Sequence, residues 1–338
     1  MRSCKWHFLV AITACWLLLT ANARAEFQKF ILCEEKFPGN SKEIRDQRYK
    51  CFEELSSSKI SDDYHLDRLW PTHSESSGIV AYKQNYLLLS NTDVPNREPT
   101  SPNIRNQVTP TYRYEAQEVK FQFSLKTQYP HPDWLGHANS LWFGYTQQSH
   151  WQVTNGANSW PFRENNYEVD PLIFSHQFEK RQVDDNWAPR FLNFGIVHQS
   201  NGQVLPYSRS WNRAYMQAGV EKKLSGSSNI AVVLRPWLRI AEVSASDDNP
   251  DITDYLGYGD LELLYWNGKQ MLSALVKSRS LQLDWSMPMP MGESTPKSLH
   301  LHLQYFTGYG ESLIDYNQQH SVVGIGVSLP YDLDANSK

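Results

Sequence analysis

The stretch Phe191 to Tyr215, FLNFGIVHQSNGQVLPYSRSWNRAY, decides how the chain is read, because it predicts two strands joined by a short polar turn. Side chains alternate between the faces of a strand, so Leu192, Phe194, Ile196, His198 and Ser200 share one face. Asn193, Gly195, Val197 and Gln199 take the other. On the return strand Ser208, Ser210, Asn212, Ala214, Met216, Ala218 and Val220 lie together, opposite Trp211, Arg213, Tyr215, Gln217 and Glu221. Pairing Ser200 with Ser210 sets His198 opposite Asn212 and gathers serine, histidine and asparagine on the apolar side. That is the side where lipid would be.

Outward from the hairpin the same period recurs. Strand candidates run over Ala81–Ser90, Glu118–Thr127, Ser140–Gln148, a segment after Tyr167, the two strands of the hairpin, Ile230–Ile240 and Tyr255–Trp266. Met271–Ser278, Ser280–Met287, Ser298–Thr307 and Ser321–Leu329 bring the number to about twelve. Val119, Phe121, Phe123 and Leu125 share a face, and Leu141, Phe143 and Tyr145 lead in the same register to Gln147. Charges at Arg213, Glu221, Arg235 and Arg239 take the opposite face, which suits a polar lumen and would be costly in a dry sandwich core. The fold expected is all-β: a transmembrane antiparallel β-barrel of about 12 strands with a short periplasmic amino-terminal extension. An even count places both termini in the periplasm and the turn after Ser200 at the cell-surface end.

The first 25 residues combine Arg2 and Lys5, an apolar run from Phe8 to Leu19 and an Ala23-Arg24-Ala25 site, which reads as a secretory signal peptide. A lipoprotein signal at Cys15 is the competing reading, opposed by the apolar run continuing through Trp16 to Leu19. Removal of the signal leaves 29 Lys and Arg against 36 Asp and Glu, a formal charge of −7 and a poor match for nucleic acid. Residues 26–78 are charged and partly helical in pattern, with a helical-looking piece from Ser41 to Leu55 and a serine-rich link at Ser74 to Ser77. They form the extension, 79–333 the barrel and 334–338 a tail. Cys33 and Cys51 are the cysteines left after the signal, and in an exported chain the expectation is a disulfide between them.

Serine attacks an ester only when a base takes its proton, and a histidine two residues earlier on the same strand face is placed to do so. Asn212 is available to orient the imidazole, without setting an anion against lipid. Taken alone, a histidine and a serine one residue apart also fit an ordinary polar strand end.

The stretch His198-Gln199-Ser200-Asn201-Gly202, followed by Ser208-Arg209-Ser210-Trp211-Asn212-Arg213, resembles the active-site hairpin of outer-membrane phospholipase A, the integral-membrane lipase of Gram-negative bacteria. Similar matches occur at Pro161 to Glu164, Asn166 to Glu168, Asp247 to Thr253 and Gly308 to Asn317, so that the resemblance covers about Tyr82 to Leu333. It implies a calcium-dependent carboxylic ester hydrolase of the outer membrane that removes acyl chains from phospholipids at both sn-1 and sn-2, and from lysophospholipids, as a homodimer. Carried over by motif, Ser200 is the nucleophile, His198 the base and then acid, Asn212 the orienter, and the Gly202 N–H an oxyanion donor. One calcium ion per active site is implied at the dimer interface, on the Ser208 hydroxyl, the Gln203 carbonyl and Ser159 of the partner subunit. The family usually has arginine where Gln203 stands, and Trp160 replaces a second small residue beside Ser159. Gln147, whose register faces lipid, matches a glutamine in family dimer contacts. Readings from other classes are a non-catalytic barrel, acting as a narrow pore or scaffold, and a soluble secreted esterase. The first would be indifferent to Ser200→Ala, and the second would need no detergent.

Overall fold

The computed structural model describes residues 36–38, 43, 44, 47, 48, 51, 64–71, 78–93, 95–108, 114–130, 133–136, 138–178, 187–224, 227–289 and 299–329. The signal peptide, the Ser74 to Ser77 link, Cys33 and the tail 334–338 lie outside the described residues. Within Ser41 to Leu55, positions 43, 44, 47, 48 and 51 are helical. Cys51 is buried and disulfide-bonded. The chain divides into two compact units, and the barrel unit holds Tyr64–Gln177 and Asp185–Lys338.

The barrel strands are β1 (Ile79–Ala81), β2 (Asn85–Thr92), β3 (Gln117–Gln128), β4 (Asn139–Trp151), β5 (Phe162–Gln177), β6 (Ala188–Ser200) and β7 (Ser210–Lys223). They continue as β8 (Ser228–Ile240), β9 (Gly259–Asn267), β10 (Gln270–Lys277), β11 (Ser280–Pro288), β12 (His300–Tyr309) and β13 (Gln319–Leu329). From β2 to β13 the strands pair antiparallel with their sequence neighbours, and β13 returns to β2, closing a ring of twelve with β1 as an extra short strand on β3.

Two expected strands differ in detail. The first breaks after Ala81: Ala81 stands opposite Leu125, whereas Tyr86 stands opposite Gln122, so the register slips in between. Asn85 holds the break, accepting from the Ser124 N–H at 2.7 Å and donating to its carbonyl at 3.1 Å. Tyr82 thereby turns inward and Lys83 reaches Glu168. The strand expected from Tyr255 starts only at Gly259, because Ile252–Leu256 forms the short helix α2, which buries Ile252 and Leu256 one turn apart on the same side.

The distribution of side chains is inverted relative to a water-soluble sheet. Leu87, Leu89, Phe123, Phe194, Ile196, Leu238, Val323 and Ile325 are exposed on the outer wall. Lys120, Lys126, Glu168, Arg213, Glu221 and Asp284 are buried inside. Without bulk water these groups are held by ion pairs and, for Lys126 and Glu221, by hydrogen bonds to the backbone of the helix packed inside. Lys120 donates to Gln304 at 2.7 Å and to Glu311 at 3.0 Å, Arg235 meets Asp260 at 2.6 Å, and His302 lies 2.9 Å from Asp284.

Apolar clusters seal both ends of this polar column. At the end away from the 201–209 turn, the helix α1 (His65–Leu69) and Trp70 pack with Tyr82, Trp142, Phe191 and Trp266. The barrel wall fixes α1 by polar bonds: Glu221 accepts from the N–H groups of His65 (3.0 Å) and Leu66 (2.9 Å), Arg190 pairs with Asp67, and Lys126 donates to the Leu69 carbonyl. Lys126 also lies 3.4 Å from the Trp70 ring centroid, where a desolvated cation gains from the π face. At the other end Val197, Trp211, Tyr215, Trp237, α2 and Tyr316 form the second cluster.

The closing ladder sets Val327 opposite Leu87 and Gly326 opposite Leu88, and a Cβ on Gly326 would fall 2.1 Å from the Leu87 carbonyl oxygen. Backbone cannot give way there as a flexible side chain can. Gly326→Val is therefore expected to destabilise the folded barrel by about 1–3 kcal/mol, the usual cost of overpacking. Urea titration in micelles, read by heat-modifiable migration, checks this.

Candidate active site

The hairpin pairs in the register read from sequence: Ser200 opposite Ser210 and His198 opposite Asn212. All three side chains stand on the outer face, and His198 is exposed. His198 Nδ1 lies 2.8 Å from Asn212 Oδ1. An amide oxygen only accepts, so Nδ1 carries the proton and Nε2 is left as the basic nitrogen. Ser200 Oγ accepts from the Gly202 N–H at 3.1 Å. Gly202 has φ +65°, a left-handed conformation in which an added Cβ would also press on the Tyr167 ring at 3.0 Å. The glycine thus aims its N–H at the serine.

Beneath this face the turn 201–209 is stiffened by Asn201, which is buried. Its Oδ1 accepts from Gln203 N (3.3 Å) and Arg209 N (2.9 Å), and its Nδ2 donates to the Tyr207 carbonyl (2.8 Å). A strap from the loop after β2 crosses the turn: Asn106 Nδ2 donates to the Ser208 carbonyl at 2.8 Å and to Asp248 Oδ1 at 3.1 Å. Asn249 Oδ1 accepts from Ser210 N at 2.9 Å. The turn is therefore held from within and from two other loops.

Gln203 is exposed and Ser208 half-buried on this turn, with the Ser208 hydroxyl donating to Asp248 Oδ2. A main-chain carbonyl, a hydroxyl and a carboxylate are hard oxygen donors of the kind calcium prefers. Ser159, expected as a ligand from the partner subunit, is exposed in the loop between β4 and β5, left-handed at φ 63° and followed by Trp160 at φ 52°. Gln147 is on the outer face, opposite Phe123, with its amide already served by its own strand. Tyr145 donates to its Oε1 and Ser149 accepts from its Nε2, each at 3.0 Å. Of the other histidines, His150, His300 and His302 are buried in the wall or lumen, and His176 bonds Asn139 at 2.8 Å.

Sequence reasoning missed Asp248, although it lies within a stretch that drew notice, and it missed Glu242 altogether. Asn212 Nδ2 donates to Glu242 Oε1 at 2.9 Å. Partial burial, then the Asp247 carboxylate, push the Glu242 carboxyl above its ordinary range, against the opposing pull of Arg239.

Comparison with known proteins bears on this site. A family model described as phospholipase A1 matches residues 66–329. The phospholipase A1 of Salmonella typhimurium is 38% identical over 269 residues, which is 76% of this chain and 83% of that protein. The crystal structure of the Salmonella typhi outer membrane phospholipase dimer with bound calcium superposes at TM-score 0.64 and 34% identity, over 77% of this chain and 95% of that one. An asparagine-to-alanine active-site mutant of outer membrane phospholipase A from Escherichia coli superposes at TM-score 0.65 and 33% identity, over 79% of this chain and 97% of that one. With a match running from α1 to the last strand of a closed lipid-facing barrel, the chain belongs to the phospholipase A1 family of outer-membrane β-barrel hydrolases.

Proposed function

We propose that this outer-membrane phospholipase cleaves acyl esters of glycerophospholipids at both sn-1 and sn-2, and of lysophospholipids, with Ser200, His198 and Asn212 as nucleophile, base and orienter. The observation that carries the reading is the 2.8 Å bond from His198 Nδ1 to Asn212 Oδ1 on the outer wall, with Ser200 two residues along the same face. A bilayer can present its esters directly to that wall.

His198 Nε2 takes the Ser200 proton as Oγ bonds to the acyl carbonyl carbon. The carbonyl oxygen becomes an oxyanion, received by the Gly202 N–H, which is released from Ser200 Oγ as that atom is acylated. Collapse breaks the ester bond, and the lysophospholipid alkoxide leaves with the proton from His198. Water, deprotonated by the same nitrogen, then frees the fatty acid and restores Ser200. Throughout, Asn212 keeps the ring turned and supports its transient charge.

Calcium would be held by the Gln203 carbonyl, the Ser208 hydroxyl and the partner subunit's Ser159, with the Asp248 carboxylate lending negative charge to the turn. When bound it supplies positive charge and polarised water near the oxyanion. The dimeric, calcium-bound Salmonella typhi relative supports both the ion and a homodimer. Gln147, in its polar row with Tyr145 and Ser149, is the dimer contact of this reading. Both ends of the barrel chain, Ile79 and Leu329, lie opposite the 201–209 turn. With the termini in the periplasm, the site faces the cell surface.

Ser200→Ala should abolish fatty-acid release from phospholipid micelles while the barrel keeps its heat-modifiable migration; residual release at the wild-type rate would refute the assignment. Asn212→Ala should lower kcat about 10²-fold with little change in KM, through loss of imidazole orientation. Chelation of calcium should reduce hydrolysis to background in crosslinked dimers as well as in untreated protein, and added calcium should restore it. Full activity in a chelated sample or in a covalently locked monomer would overturn the calcium and dimer parts.

A further inference from the structure

The Asn212 amide is used at both ends. Its oxygen meets His198 Nδ1 at 2.8 Å and its nitrogen donates to Glu242 Oε1 at 2.9 Å. The register accounts for the second contact: Asn212 pairs with Ile240 on the outer face of β8, and Glu242, two residues further on, continues that face past the strand end. From there its carboxylate reaches diagonally back to the hairpin.

Resting on the function proposed above, we propose that Glu242 is a positioning residue for ester hydrolysis, holding the Asn212 amide in the one orientation that leaves His198 Nε2 free to act as base. An amide is nearly symmetric in shape, and with nothing to distinguish its ends it can rotate to present N–H₂ to the imidazole. That orientation would stabilise the ring with its proton on Nε2 and disable the base. A carboxylate accepts and cannot donate, so it admits only the Asn212 nitrogen and fixes the oxygen on His198. Its charge, relayed through the amide, also gives a passing imidazolium part of the support that an aspartate at 212 would give.

The other charged groups facing Glu242 are Arg239 at the end of β8 and Asp247 and Asp248 in the following loop, with His198 beyond Asn212. Arg239 is committed to Asp247 by two bonds of 2.7 and 2.9 Å and to the Pro250 carbonyl at 2.9 Å. Asp248 is turned to Ser208 and Asn106. Glu242 is thus the carboxylate that meets the asparagine.

The test compares wild type, Glu242→Gln, which can present either amide end to Asn212, and Glu242→Ala, each as full-length protein in micelles. Both variants should fold, as heat-modifiable migration will report, because Glu242 lies in a loop and is only partly buried. Each should lose about tenfold in kcat, the order expected for one charge-assisted hydrogen bond, with KM nearly unchanged. The acid limb of the kcat–pH profile should move to lower pH, since removing an anion weakens support for the imidazolium. A second readout does not depend on turnover. In ¹⁵N-histidine spectra, with His198 assigned by its loss in His198→Ala, wild type should show the Nδ1-protonated tautomer and both variants a mixture. Unchanged tautomer populations in both variants would overturn the proposal. Changed tautomers together with hydrolysis indifferent to Ser200→Ala would instead overturn the function on which it rests.

Discussion

In hydrocarbon a strand has no water to satisfy its backbone, so every ladder must be matched and the sheet must close on itself. The β2–β13 seam meets that constraint, with residues from Val322 to Leu329 paired against Thr92 to Asn85. Closure fixes strand parity, and parity decides the rest. Alternate residues face lipid or lumen with no intermediate choice, so the apolar wall of Leu87, Phe194 and Ile325 and the charged column of Lys120, Arg213 and Asp284 are two readings of the same strands. The side chains proposed to cleave esters, Ser200, His198 and Asn212, belong to the outer set. They are reached by lipid and not by a ligand in the lumen, which apolar clusters cap at both ends.

Much of this was legible in the sequence because a pleat of period two leaves little freedom. Once Ser200 is paired with Ser210, His198 must face Asn212, and the structure has that pairing. Most of the expected strands lie within a few residues of their observed places for the same reason. The failures occur where side chains override the pleat. Asn85 takes over the backbone groups of Ser124 and breaks the first strand, a substitution of side chain for ladder that no hydropathy pattern records. Ile252 to Leu256 coils because both ends of one turn find the second apolar cluster, and that helix takes up Tyr255 and Leu256, where the expected strand begins.

Polar partnerships were the least legible. Gln147 stands on a lipid-facing strand, and its neighbours two residues away on the same face, Tyr145 and Ser149, bond its amide at both ends, contacts along one strand that the alternation alone does not record. Glu242 was invisible for a different reason. Its link to Asn212 exists only once Ile240 is known to lie opposite Asn212, a fact about the pairing of β7 with β8 that the hairpin alone does not contain.

The helix α1 precedes every strand, yet it sits within the ring, with Leu66 wholly buried and its backbone N–H groups taken by Glu221. The smallest excised fragment that keeps the cylinder's interior filled accordingly starts at Tyr64 and not at Ile79. A shorter one would retain the whole wall while leaving Arg190 without Asp67 beside a void.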